Sequence, residues 1–154
     1  MPILYMLIGV PASGKSTWLA QQDLSHAVVI STDDIIQARA EAQGKTYDQV
    51  FKKEVKSATT QMVANLRAAI DADKDIYWDQ TNVTAAARAK KLALVPDTYE
   101  KVAVFFRTPD AQEHARRLAG REGKNIPWNV IASMKSQLEP PTAEEGFDKI
   151  IVVS

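Results

Sequence analysis

An α/β fold, a parallel sheet covered by helices on both faces, is what this sequence predicts, and two observations carry the prediction. Short apolar runs alternate with helical stretches from end to end, a pattern that pairs strands in parallel through right-handed crossovers. The first run, ILYMLIG, leads directly into GVPASGKST (residues 9–17), which fits G-x-x-x-x-G-K-[ST] with Gly9, Gly14, Lys15 and Ser16 in the required places. That motif is a phosphate-binding P-loop. Gly9 and Gly14 are expected to supply positive φ. The amides of the loop, through Ala12 and Ser13 to Ser16 and Thr17, then converge on phosphate oxygens, and the dipole of the following helix adds to them. Lys15 is the expected partner of the β- and γ-phosphates, and the Ser16 hydroxyl that of Mg²⁺.

The elements follow in order. Residues 3–8 are the first strand and 15–22 the first helix. AVVIST (27–32) is a short β-branched strand running into Asp33 and Asp34, which open a helix to about Arg39. Thr46-x-x-Gln49 is a capping box. It starts a long helix whose Val50, Phe51, Val55, Ala58, Met62, Leu66 and Ile70 fall on one face, as a core-facing helix requires. DIYWD (75–79) is the third strand, residues 84–95 a helix closed by Pro96, and KVAVFF (101–106) the fourth strand. Thr108 is the expected N-cap of the next helix, with Pro109 at its first position. Pro127 opens a helix to about Leu138, EPPTAEEG is a coil, and residues 149–154 are the last strand.

The 154 residues suit one domain spanning 1–154. Nineteen basic and nineteen acidic residues cancel, which argues against a general duplex coater with a broad basic face. Cysteine is absent, so disulfides, thiolate metal sites and a cysteine nucleophile are excluded, and a reducing cytoplasmic setting is expected. No apolar stretch approaches the ~20 residues of a membrane helix, and MPILYMLIGVPASGK lacks the basic n-region of a secretory leader.

In a sheet of this kind ligands bind beyond the carboxyl ends of the strands, and three polar clusters fall there. They are the P-loop, Ser31-Thr32-Asp33-Asp34, and Asp79-Gln80-Thr81-Asn82. Phosphoryl transfer needs a phosphate cradle, Mg²⁺, cations that follow the migrating charge, and a base for the nucleophile. Asp79 stands where a carboxylate would hold Mg²⁺ or its water. Asp33 and Asp34 point about 100° apart on a helix, so one of them is expected to face the site and accept a hydroxyl proton. From Arg88 to Lys124 nine Lys and Arg stand against five Asp and Glu. Within that stretch Arg117 and Arg121 share a helix face. Their neighbours Arg116 and Arg117 are expected to diverge, and GREGKN has the composition of a mobile lid, at about 118–127. His26 and His114 are expected at the surface or its boundary, Trp18, Phe51 and Tyr77 in the core. For Trp128, packing is the expectation and a stacking platform for a base the alternative.

With these motifs in view the chain resembles the polynucleotide 5′-kinase family nearly end to end. The resemblance lies in GKSTW (14–18), in the D-x-T-N pattern of Asp79-Gln80-Thr81-Asn82, in Ile126-Pro127 and Met134, and in PPTAEEGFDKI (140–150). It implies a five-stranded sheet of order 2-3-1-4-5, adenylate-kinase-like, and transfer of the γ-phosphate of ATP to the 5′-hydroxyl of a DNA or RNA end. It also implies Asp33 as general base, Arg121 as the lid arginine with Arg117 near it, and Thr81 on the acceptor side; Asp34 and Asn82 are further substrate-binding candidates. Two positions depart from the family, both on the acceptor side: Thr32 stands where an arginine often precedes the base, and Ile36 where an arginine follows it. Arg39, one turn on, is the candidate replacement. The donor side is intact, so phosphotransfer is the firmer expectation. The alternatives are a P-loop kinase acting on a small molecule, a nucleoside or a hydroxymethylated base in DNA, and an ATP-binding switch without transfer.

Overall fold

Each strand is an apolar run whose alternate side chains feed two different packing layers. In the computed structural model, which describes residues 1–121 and 124–154, these runs form β1 (Ile3–Ile8), β2 (Ala27–Ile30), β3 (Asp75–Asp79), β4 (Glu100–Phe106) and β5 (Lys149–Val153). All pair in parallel in the order β2-β3-β1-β4-β5, as the resemblance implied. In β1, Leu4, Met6 and Ile8 point to one layer and Leu7 to the other.

Helices α1 (Lys15–Ala20), α2 (Thr32–Ala42), α3 (Tyr47–Asp71), α4 (Ala85–Leu92), α5 (Ala111–Ala119) and α6 (Trp128–Gln137) connect the strands, with a 3₁₀ turn at Ala143–Glu145. Met62, Leu66 and Ala69 of α3 pack with Leu92 of α4 on the Leu4 side of the sheet, around Trp78, Tyr99 and Phe147. On the other side Trp18 of α1 covers Leu7, Val104 and Phe106. The capping box at Thr46 and Gln49 is present. No helix among the described residues is long and apolar enough to cross a membrane.

Several local expectations change. The α5 cap is Asp110, whose side chain accepts from the Glu113 amide, so Thr108 and Pro109 lie before the helix and not in its first turn. Helix α2 runs to Ala42, three residues past Arg39. Phe51 is 41% exposed, because the core stripe of α3 passes through Val50 and Ala58 where they meet Ile36 and Ala40 of α2. Glu122 and Gly123, in the expected lid, lie outside the described residues.

Candidate active site

The P-loop is held from behind by groups far away in sequence. The Gly9 amide donates to the Thr81 carbonyl at 2.9 Å, so it is occupied and cannot serve a phosphate. Nor does Gly9 adopt positive φ. The residues that do are Ala12 (φ 61°) and Gly14 (φ 107°). A Cβ on Gly9 would lie 2.6 Å from Ser13 Oγ and 3.0 Å from Phe106 Cβ: glycine is needed there for close approach. Ala12 in the left-handed region costs roughly 1–2 kcal/mol, the kind of strain that accumulates at functional loops. His114 of α5, expected near the surface, is fully buried, with Nε2 2.7 Å from the Pro11 carbonyl oxygen. It therefore donates from Nε2 and ties α5 to the loop. Spacing could have found it, since His114 stands three residues before Arg117 on one face of α5, whereas Arg121 lies past the end of that helix.

Lys15 folds back over its own loop, with Nζ donating to the Gly9 and Val10 carbonyls at 2.8 and 2.9 Å. Burial lowers its pKa to about 8, opposed by Asp79 and Asp33 and assisted by Arg121. Arg117 Nη1 donates to the Ala12 carbonyl at 3.3 Å. Arg116 and Arg117 do not diverge as expected: both bond Glu113, at 2.6 and 2.9 Å, and together hold its carboxyl down to about 2. Among the described residues three buried side-chain atoms lack a hydrogen-bond partner, Ser13 Oγ, His114 Nδ1 and Arg121 Nη1. Arg121, which lines the cavity, thus keeps a buried guanidinium nitrogen without a partner among the described residues, a costly arrangement in the absence of an anion.

Across from the loop, the Ser31 hydroxyl caps α2 by accepting from the Asp34 amide at 3.2 Å. Asp33 and Asp34 both line the cavity with Lys15, Ser16, Asp79, Thr81, Arg117, Arg121 and Lys124, although one alone was expected to. The cavity measures about 730 Å³. Burial raises the Asp34 carboxyl, with Lys124 opposing it and Asp33 adding to it. Burial likewise raises Asp79, which lies opposite Leu7 at the end of β1. Lys15 offsets that rise, and Asp34 and Asp33 add to it. The Asp79 carboxylate and the Ser16 hydroxyl line the same cavity, and oxygen donors of this kind suit a hard divalent cation.

Tyr47 is the residue that sequence reasoning missed. Its hydroxyl donates to Asp33 Oδ1 at 2.6 Å. Burial, then the Asp33 carboxylate, holds the phenol protonated well above its usual range. Nothing in local sequence relates the two, because they meet only when α3 packs on α2.

Two acceptor-side candidates are not in the cavity. Asn82 is buried, with Nδ2 donating to the Leu7 carbonyl at 2.7 Å and Oδ1 accepting from Lys91. Its φ of 49° marks it as a turn former that joins β1 to the loop after β3. Arg88, part of the basic stretch, is fully buried and completes this turn. It donates to the Asn82 carbonyl at 2.9 Å and to both Glu145 oxygens at 2.7 and 3.1 Å. Arg39 points away, pairing with Glu54 at 3.1 Å and donating to Ser57 at 3.0 Å. Ile36 is core. Trp128, expected to pack, is 58% exposed, with Lys135 Nζ 5.0 Å from its ring.

Comparison with known proteins places this geometry. The family model described as an AAA domain matches residues 4–141. A curated relative, the bifunctional polynucleotide phosphatase/kinase of Schizosaccharomyces pombe, is 24% identical over 155 aligned residues, covering 96% of this chain and 32% of its own length. Among solved structures, a chain of the Pnkp1/Rnl/Hen1 RNA repair complex superposes with a TM-score of 0.69 at 23% identity, over 96% of this chain and 46% of that one. A sugar kinase from a Janibacter species gives a TM-score of 0.62 at 17% identity, over 99% and 85%. This chain thus spans about a third of the curated relative and under half of the repair-complex chain. The structural likenesses establish a P-loop kinase fold.

Proposed function

The chain belongs to the AAA domain family whose model spans residues 4–141, and from that premise we propose that it is an ATP-dependent phosphotransferase acting on the 5′-hydroxyl end of DNA or RNA. The observation that carries the reading is that Lys15, Arg121 and Asp33 line one cavity.

Lys15 and the amides of residues 12–17 hold the β- and γ-phosphates, Lys15 exchanging its bonds to the loop carbonyls for phosphate oxygens. Arg121 gives its unpartnered Nη1 to the γ-phosphoryl oxygens, where charge spreads as the transfer proceeds. A divalent cation at Ser16 and Asp79 would neutralise the phosphate oxygens. Asp33 orients the incoming hydroxyl and takes its proton. The acceptor oxygen bonds to the γ-phosphorus, the bond from that phosphorus to ADP breaks, and the proton rests on Asp33. Tyr47, held in its protonated form, keeps one oxygen of Asp33 occupied and presents the other.

A second reading, transfer to a small hydroxyl compound, is favoured by buried Ile36 and by the Arg39–Glu54 pair, which leave α2 without a free phosphate-binding cation. Incubation with γ-labelled ATP and a panel of 5′-hydroxyl DNA, 5′-hydroxyl RNA, nucleosides and small alcohols separates the readings. Label is expected on nucleic-acid ends, with apparent affinity falling as salt rises. Label on a small alcohol alone rejects the nucleic-acid acceptor. Asp33→Asn should abolish transfer and spare ATP binding, and ATP binding without any transfer by the unaltered chain would leave only a nucleotide switch.

A further inference from the structure

Phe51 and Tyr47 form an aromatic step beside Asp33, Tyr47 packing on the Ile36, Ala40, Val50 and Ala58 cluster while Phe51 takes no part in it. Phe51 is 41% exposed, and its ring lies 5.6 Å from that of Tyr47, centroid to centroid, at a tilt of 35°. Tyr47 is pinned at its far end by the bond to Asp33 Oδ1, and Lys124 Nζ lies 4.6 Å from its ring centroid. Within the expected lid, Asn125 meets the same helix end, its amide donating to Asp48 at 2.7 Å. Neither ring lines the cavity itself; the pair lies one hydrogen bond beyond the Asp33 carboxylate that does, and offers π faces there with the Lys124 cation beside them. A polyol or sugar acid needs hydrogen-bonding groups at that distance, whereas a planar base needs a stacking face.

We propose that Tyr47 and Phe51 form the acceptor subsite for a nucleobase, the base of the 5′-terminal nucleotide stacking on the open Phe51 ring. Tyr47 sets the pitch of the ring pair through its bond to Asp33, and Lys124 meets the acceptor's phosphate. This rests on the kinase reading and narrows its acceptor to one bearing a planar base. Stacking tolerates any base, and it grips an end that α2, with Ile36 buried and Arg39 engaged, cannot grip by phosphate contacts.

The test compares two 5′-hydroxyl oligonucleotides of equal length, one with an ordinary terminal residue and one with an abasic terminal residue. Wild-type KM should be about tenfold lower for the base-bearing end. Phe51→Ala should raise that KM to the abasic value, in KM and not in kcat, and Phe51→Trp should keep the preference. An oligonucleotide with 5′-terminal 2-aminopurine should lose fluorescence on binding without ATP, and Phe51→Ala should remove that quenching. Equal KM for the two ends in the wild type, or unchanged KM and quenching in Phe51→Ala, overturns the subsite and leaves the kinase reading standing. If no 5′-hydroxyl end is labelled at all, the nucleic-acid reading fails first and the subsite with it.

Discussion

The proposed phosphate side of the cavity and the proposed acceptor side are built by different means. On the phosphate side, backbone is immobilised by buried and half-buried partners: Thr81 holds Gly9, His114 holds Pro11, and Lys15 holds the Gly9 and Val10 carbonyls. On the acceptor side, partly exposed side chains hold one another, Tyr47 on Asp33, Lys124 over Tyr47, and Asp48 on residue 125. The contrast teaches which side is shared and which is free to vary. Every nucleoside triphosphate presents the same phosphate tail, so a rigid cradle of amides serves. Acceptors differ, and a wall of side chains can be altered one residue at a time without disturbing the sheet.

The difference can be probed at graded cost. If the proposed transfer holds, Arg121→Ala removes the cation for the transferring group and should lower kcat by about 10³-fold, the scale of such arginines, with the KM for ATP changing far less. A similar loss in both parameters would instead place Arg121 in ground-state binding. Behind the cradle, Arg88→Ala strands Glu145 and the Asn82 carbonyl. It should cost about 3 kcal/mol of stability, since breaking a buried ion pair leaves an uncompensated charge. Thermal or urea unfolding measures this, and an unchanged midpoint would show that the pair is dispensable. Tyr47→Phe deletes one hydrogen bond to a carboxylate and should lower kcat about tenfold, leaving the KM for ATP alone.

The smallest effect is expected from pH. Lys15 has its pKa lowered to about 8, so in the free enzyme its charge is present below that value and lost above it. Bound phosphate favours the charged form, so the KM for ATP should rise with pH, roughly fourfold by pH 8.5, while kcat changes little. A KM that stays flat to pH 9 would mean that Lys15 keeps its proton without phosphate.

Much of the donor side was legible in the sequence because its signals are local. A motif at fixed spacing, a strand before it and a helix after it are all read within about twenty residues. Even there the reason for Gly9 was different from the one expected. Its constraint is the approach of Ser13 and Phe106, and the second of these lies on another strand. Asn82 shows the limit more sharply. Its place in the D-x-T-N loop suggested contact with the acceptor, yet its side chain spans Leu7 and Lys91 inside the protein. A polar residue at the end of a strand can face a ligand or close a turn, and spacing does not distinguish the two.

By itself the sequence determined the alternation of strands and helices, the P-loop, the capping box at Thr46, and the gathering of polar clusters at one edge of the sheet. These follow from periodicity and from backbone conformations that few residue types adopt. Tertiary structure alone decided that Tyr47 meets Asp33, that His114 grips Pro11, that Arg88 disappears into the fold, and that Arg39 turns to Glu54. Each of those depends on how two helices, or a helix and a loop, are set against each other. A side chain's partner is chosen by that packing, and packing energy is summed over contacts between residues that no local window contains.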